Sequence, residues 1–514
     1  MRNTITPFLL RHSAQQPVSF HMPGHKGAAI YRDHGYGPFL DHIMDCDITE
    51  IPGADNLFQT EGPLLHTMDR YRKLYGVRQS YMLINGSSGG LIAAILASVP
   101  RGGRLILARN CHKSIFNALS LGDITPIYAY PRTIAEYGIL GDISVEEIVR
   151  CMDEAPDAAA VVIPSPNYYG ICSDIEAIAK EVHRRGKVLI VDQAHGAHLS
   201  FFAKHLRPAF SQNEAQAQNR EQARNGEQVQ NGEHARKPAF SQSGKGLRFP
   251  SGAEDQGADA VINSTHKTLA SFTQTAILNL CSDRIDRYDL EDRLQAVESS
   301  SPSYPLMASL DINADLLERC GSKLIREWAE SLEWFYEEAP GRIPGLRLME
   351  HPMLDPTKLN LDMSAYGLDG NELENLLIEK GIFIELVTGN ILMCMTGIGN
   401  KRCDYEKLIR ALEEIAGERI LHRGGAVRKH PEAVTRSLEM KMVPVKKERI
   451  PLREAAGRVC ASSVIPYPPG IPIVCPGEVF DGEVIAYIEG RRQAEEKVIG
   501  VDDLGRVVVG KEIK

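Results

Sequence analysis

"DIEAIAKEVHRRGKVLIVDQAHGAH", residues 174–198, carries the decisive pattern of this chain. A helical segment runs into an unbroken apolar strand, "KVLIVD", which ends on Asp192. An apolar run without polar alternation suits a strand covered on both faces, as in a parallel sheet flanked by helices.

The same unit recurs on either side. Apolar runs predict strands at 81–84, 104–108, 126–130, 159–163, 187–192, 259–263 and 275–280. Helical stretches such as "GGLIAAILASV" (89–99) lie between several of them. This alternation predicts an α/β large domain with a mainly parallel sheet of seven strands. Ligands in such folds sit at the carboxyl ends of strands. Asp192 stands at such an end, although an aspartate there also suits a helix cap.

Lys267 follows another predicted strand, in "STHKTLAS" (264–271). It lies 75 positions after Asp192, and a polar insertion at about 202–256 fills most of that gap. The insertion repeats "PAFSQ" at 208–212 and 238–242, and steps by six residues through "NRE", "NGE" and "NGE" from 219, 225 and 231. It lacks the apolar positions of a stacked repeat and predicts a disordered surface loop. Without it, Asp192 and Lys267 are one strand–helix–strand step apart and end adjacent strands. A lysine buried there loses charge and gains nucleophilicity, although a structural Asp–Lys ion pair uses the same two residues.

A third element is "LINGSSGGLIAAI" (83–95), a strand, a Gly/Ser turn and an apolar helix. Backbone N–H groups at that helix start, with Ser87 and Ser88, form an anion cradle. No G-x-G-x-x-G and no G-x-x-x-x-G-K-[ST] is present, which speaks against dinucleotide and P-loop chemistry. A phosphate cradle, an aspartate and a lysine at strand ends together fit pyridoxal 5′-phosphate.

The motifs extend this reading. "FHMPGHKG" (20–27), "DITEIPGADNLFQTEGPL" (47–64), "LINGSSGG" (83–90), "RNCHKS" (109–114), "VDQAHGAH" (191–198), "STHKTLASFTQTA" (264–276) and "IPYPPGIPIVCPGE" (465–478) span nearly the whole chain. In these the sequence resembles the Orn/Lys/Arg decarboxylase family of fold-type I pyridoxal-phosphate enzymes. It is similar to the short form without an N-terminal regulator-like domain. The resemblance implies that Lys267 binds the cofactor aldehyde, Asp192 pairs with the pyridine nitrogen, and His112 and Ala194 flank the ring. It assigns the phosphate to Ser87 and Ser88, joined by Ser264 and His266. It implies decarboxylation of a basic amino acid, arginine first and lysine or ornithine next, by a homodimer or higher homo-oligomer. His112 or Lys267 supplies the proton. An aminotransferase or carbon–carbon lyase of the same fold is the alternative, and a non-catalytic scaffold the third reading.

The remaining sequence sets the frame. Expected divisions are an N-terminal rim segment (1–70), the large cofactor-binding domain (71–300), a smaller α+β domain (301–420) and a C-terminal decarboxylase-type domain (421–514). Formal net charge is −9, with 43% hydrophobic and 24% charged residues. This speaks against nucleic-acid and membrane surfaces and for a soluble cytoplasmic protein. Ten cysteines without a C-x-x-C pair predict free thiols. His195 and His198 lack a third ligand nearby, and Pro23 and Gly24 break "HMPGH", so no metal site is expected. Glu478 reads either as facing a cationic substrate or as a solvated surface residue. Ser299 or Ser300 in "VESSSPSY" (297–304) stands where relatives carry a threonine contributed by the neighbouring subunit.

Overall fold

A computed structural model describes residues 4–206, 246–422, 438–467, 472–493 and 497–511. Its centre is a sheet of seven strands: β1 (Gln79–Leu83), β2 (Arg104–Ala108), β3 (Thr125–Ala129), β4 (Ala160–Pro164), β5 (Val188–Asp192), β6 (Ala260–Asn263) and β7 (Ala276–Leu280). Their order is β1-β7-β6-β5-β4-β2-β3. Only β7 runs antiparallel, to both β6 and β1. Each predicted strand is present within a residue or two of its expected bounds.

The strands at the middle of the sheet are buried and mostly apolar because both faces are covered. From β1, Tyr81 and Leu83 join the core that includes Leu91 and Ile95 of helix α1 (Gly86–Ser98), while Met82, and Ile84 just after the strand, join the opposite core. Such burial of large apolar side chains contributes roughly 1.5–3 kcal/mol each. Gly90 of α1 is required by this packing. A Cβ there would lie 2.5 Å from Leu83 Cδ1.

Helices α2 (Lys113–Gly122) and α3 (Ile175–Arg184) complete the strand–helix alternation, and the 39-residue α4 (Tyr304–Arg342) follows the sheet. A second sheet comprises β8 (Arg347–Leu348), β9 (Lys358–Asp362), β10 (Leu386–Thr388) and β11 (Ile391–Met395), in the order β8-β9-β11-β10. Residues 18–20 pair in parallel with 382–384, which ties the N-terminal segment to this smaller unit. The C-terminal residues form their own core around Val474, Phe480 and Val507. All ten cysteines are free thiols. No helix among the described residues is long and apolar enough to cross a membrane.

The ends of the expected insertion are packed rather than loose. Phe202 meets Trp328 at 4.9 Å and Phe249 at 4.4 Å between ring centroids. Glu254 accepts hydrogen bonds from Gln193, Asn263 and Asn279. The repeats at 207–245 lie outside the described residues. The polar composition of the whole stretch concealed these anchors in the sequence.

Candidate active site

A cavity opens at the carboxyl ends of the parallel strands, lined by Ser87, His112, Pro164, Pro166, Asn167, Tyr168, Asp192, Ala194, His195 and Lys267. The position follows from topology: each of these side chains ends a strand or begins the segment after it.

Lys267 projects from a one-turn helix, Thr265–Thr268, after β6. Burial lowers its pKa, against the charges of Asp192 and Glu385, and Lys358 adds to the lowering. The amine is thus biased toward its neutral, nucleophilic form. Its Nζ lies 2.9 Å from His195 Nε2. Burial and the Lys267 charge hold His195 neutral, and its buried Nδ1 has no hydrogen-bond partner among the described residues. The Tyr168 ring stands 4.9 Å from the His195 ring.

Asp192 ends β5, the neighbour of β6. The Ala194 N–H donates to its Oδ1 at 3.1 Å, the one hydrogen bond to this carboxylate among the described residues. Burial raises its pKa, opposed by the Lys267 charge and the Ala194 N–H. A buried carboxylate with so few donors is suited to a cationic N–H in the cavity.

His112 is the N-cap of α2. Ser114 N–H donates to its Nδ1 at 3.3 Å, and Ser114 Oγ lies 2.9 Å away. Burial, with the charges of Lys267 and Lys113, pushes its pKa down to about 3. The ring is neutral, and with Nδ1 accepting, the proton resides on Nε2.

Ser87 sits in the first turn of α1 and accepts from Ser264 Oγ at 3.0 Å. Of the predicted phosphate residues, Ser88, Ser264 and His266 do not line the cavity. His266 turns away, its Nδ1 2.7 Å from the Thr275 carbonyl, and burial lowers its pKa to about 4. The Gly/Ser turn is held from behind by Glu298, whose Oε2 accepts from the N–H groups of Ile84 and Asn85 at 3.0 Å each. Ser299, next along, bonds to Ser301.

Two other motifs find their places. In "HMPGHKG", Gly24 N–H donates to the His266 carbonyl at 2.7 Å, and a Cβ on Gly24 would lie 2.4 Å from the Thr268 backbone. This segment lies against the turn that carries Lys267. Glu478 is fully buried, neither solvated nor lining the cavity. Its carboxylate accepts from Arg109 Nε at 3.1 Å and Nη2 at 2.9 Å. Arg109 also donates to the carbonyls of Pro472 and Ile473. The Pro-rich segment is therefore fastened to the loop that carries His112.

His195, Glu298 and Glu385 escaped the sequence reading of the site. The "HGAH" spacing drew attention to His195 only as a metal ligand; Glu298 stands in "VESSSPSY", where the reading went to its serines, and Glu385 stands in no quoted motif.

The model of the Orn/Lys/Arg decarboxylase major domain matches residues 4–245 and 248–338, and that of the C-terminal domain matches 425–503. The chain belongs to the Orn/Lys/Arg decarboxylase family. It is thus an amino-acid decarboxylase with the fold-type I architecture. An arginine decarboxylase of Bacillus subtilis is 28% identical, over 96% of this chain and 94% of the relative. The uncharacterized protein YaaO of the same organism is 29% identical, over 97% and 98%. The constitutive lysine decarboxylase of E. coli superposes with a TM-score of 0.70 at 20% identity, covering 99% of this chain and 82% of that one.

Proposed function

We propose that this family member decarboxylates a basic amino acid, arginine first and lysine or ornithine next, with pyridoxal 5′-phosphate held at Lys267. The observation that carries the reading is the meeting of the Lys267 amine and the Asp192 carboxylate in one buried cavity, from neighbouring strands. Relatives named arginine decarboxylase and lysine decarboxylase support the substrate class.

The residues fit the cofactor. Asp192, short of donors, would hold the protonated ring nitrogen. Ser87, with Ser264 behind it, would hold the phosphate at the start of the 13-residue α1. Ser88 and His266 would support that turn from outside the cavity. His112 and Ala194 would flank the ring. When bound, pyridoxal phosphate supplies an electron sink for the pair left by departing CO2.

The chain's own residues do the rest. Lys267, its pKa lowered by burial, is placed to bond an aldehyde. Pro164, Pro166 and Tyr168 line the cavity and limit water. His112 lines the cavity with its proton on Nε2, a hydrogen-bond donor, and His112 or Lys267 supplies the proton. The working unit in this reading is at least a homodimer, supported by the family resemblance and by the exposed Ile5, Phe8, Leu9 and Leu10 of the N-terminal helix.

Incubation with pyridoxal phosphate and carboxyl-labelled arginine, lysine or ornithine tests the reading. Labelled CO2 from one substrate, lost in Lys267→Ala, is expected. Formation of 2-oxo acid without CO2 from any of the three would overturn it in favour of an aminotransferase.

A further inference from the structure

The small unit reaches the back of the cavity through a buried charge network. Lys358, on β9, has no exposed surface. Its Nζ donates to the His195 carbonyl at 2.5 Å, to Asp355 Oδ2 at 2.7 Å and to Thr357 Oγ1 at 3.2 Å. The same Asp355 oxygen accepts from Thr357 Oγ1 at 2.9 Å and lies 3.0 Å from His198 Nε2. The other nitrogen of His198, Nδ1, meets Thr268 Oγ1 at 3.1 Å.

Both ends of this network adjoin Lys267. His195 touches the Lys267 amine through its ring, and Thr268 is the next residue in the chain. Stability alone does not account for such a network. A buried ion pair is often no better for stability than well-packed apolar residues of the same volume. Buried charge converging on a reactive amine is instead a signature of a tuned site.

We infer that Lys358 is a positioning residue for Lys267: from the small unit it holds the His195 carbonyl and, through Asp355 and His198, Thr268, and it places a positive charge behind the reactive amine. Like charge disfavours the ammonium form of Lys267. Asp192 and Glu385 act in the opposite sense, and His195 and His112, both kept neutral by burial, contribute no counter-charge. The seat of Lys267 is then complete only when the small unit is docked. This inference rests on Lys267 being the amine that binds the cofactor.

The test measures bond formation at Lys267 rather than turnover. Full-length wild type, Lys358→Met, Lys358→Arg and the double variant Asp355→Asn/Lys358→Met are mixed with pyridoxal phosphate over a pH series. Borohydride stops each reaction, and mass spectrometry counts the adduct on the Lys267 peptide. Lys358→Met is expected to reach the wild-type rate about one pH unit higher, a trapping rate about tenfold lower at neutral pH. The double variant, which removes the Asp355 charge with that of Lys358, is expected to keep the wild-type pH dependence but, without the hold on the His195 carbonyl, to trap more slowly at every pH. Lys358→Arg, which keeps the charge, should follow the wild type. Identical profiles for wild type and the double variant would overturn the inference, as would Lys358→Arg as slow as Lys358→Met. If Lys358→Met does not fold, the double variant decides, because it leaves no unpaired buried charge. No adduct at Lys267 in the wild type would refute the proposed role of Lys267 itself, and this inference with it.

Discussion

Glu478→Gln should loosen the C-terminal module from the His112 loop. The side chains of Arg109 and Glu478 are 8% and 0% exposed, and their closest approach is 2.9 Å. Removing one partner of such a pair strands a buried charge, at roughly 3–5 kcal/mol. Arg109 would keep the carbonyls of Pro472 and Ile473 and the Tyr128 face 5.3 Å away. The lower end, about 3 kcal/mol, is therefore expected. Glu478 also accepts from the Cys475 N–H at 2.7 Å, so that amide reports directly on the change. Its hydrogen exchange should accelerate about a hundredfold, with that of Ile473, whose N–H donates to the Val464 carbonyl. The double variant Arg109→Met/Glu478→Gln, with no stranded charge, should recover most of the protection, and decarboxylation should follow the same order. Wild-type exchange in Glu478→Gln, or a double variant as loose as the single, would refute the reasoning.

Three further outcomes are expected. Asp192→Asn should lower decarboxylation by about a hundredfold or more while Lys267 still traps pyridoxal phosphate, measured as CO2 release and borohydride adduct. His112→Phe keeps a flat ring but loses the Nε2 proton, so kcat should fall about a hundredfold with little change in cofactor trapping; an unchanged kcat would assign His112 to stacking alone. Burial raises the Glu298 pKa from 4.5 to about 7, so between those values the folded chain holds a proton that the unfolded chain has released. This contribution to stability is full below 4.5 and lost as the pH rises through 7. The melting temperature of wild type relative to Glu298→Gln should accordingly fall from about pH 5 to about pH 8, and a constant difference would show that the carboxylate titrates normally.

Much of the architecture was legible because buried parallel strands must be apolar throughout. The runs ending at Asp192 and Asn263 announced themselves in this way, and their adjacency followed from the length of the segment between them. The packed flanks of the insertion were not legible. Phe202 and Glu254 are single anchors within a polar stretch, and composition averages over them. Glu478 was misread for a related reason: a carboxylate after a Pro-rich turn has no sequence mark of burial, and its partner Arg109 lies 369 positions away.

The sequence by itself determined the strand–helix alternation, the family and the placing of Lys267 and Asp192 at adjacent strand ends. These depend on local periodicity and on short motifs, which a linear reading retains. Tertiary structure alone decided the rest: His195 against the Lys267 amine, Glu298 beneath the Gly/Ser turn, and Lys358 and Asp355 behind the cavity. These are long-range contacts among ordinary residue types. Their meaning comes from burial, which turns a common lysine or glutamate into a charge that must be paired.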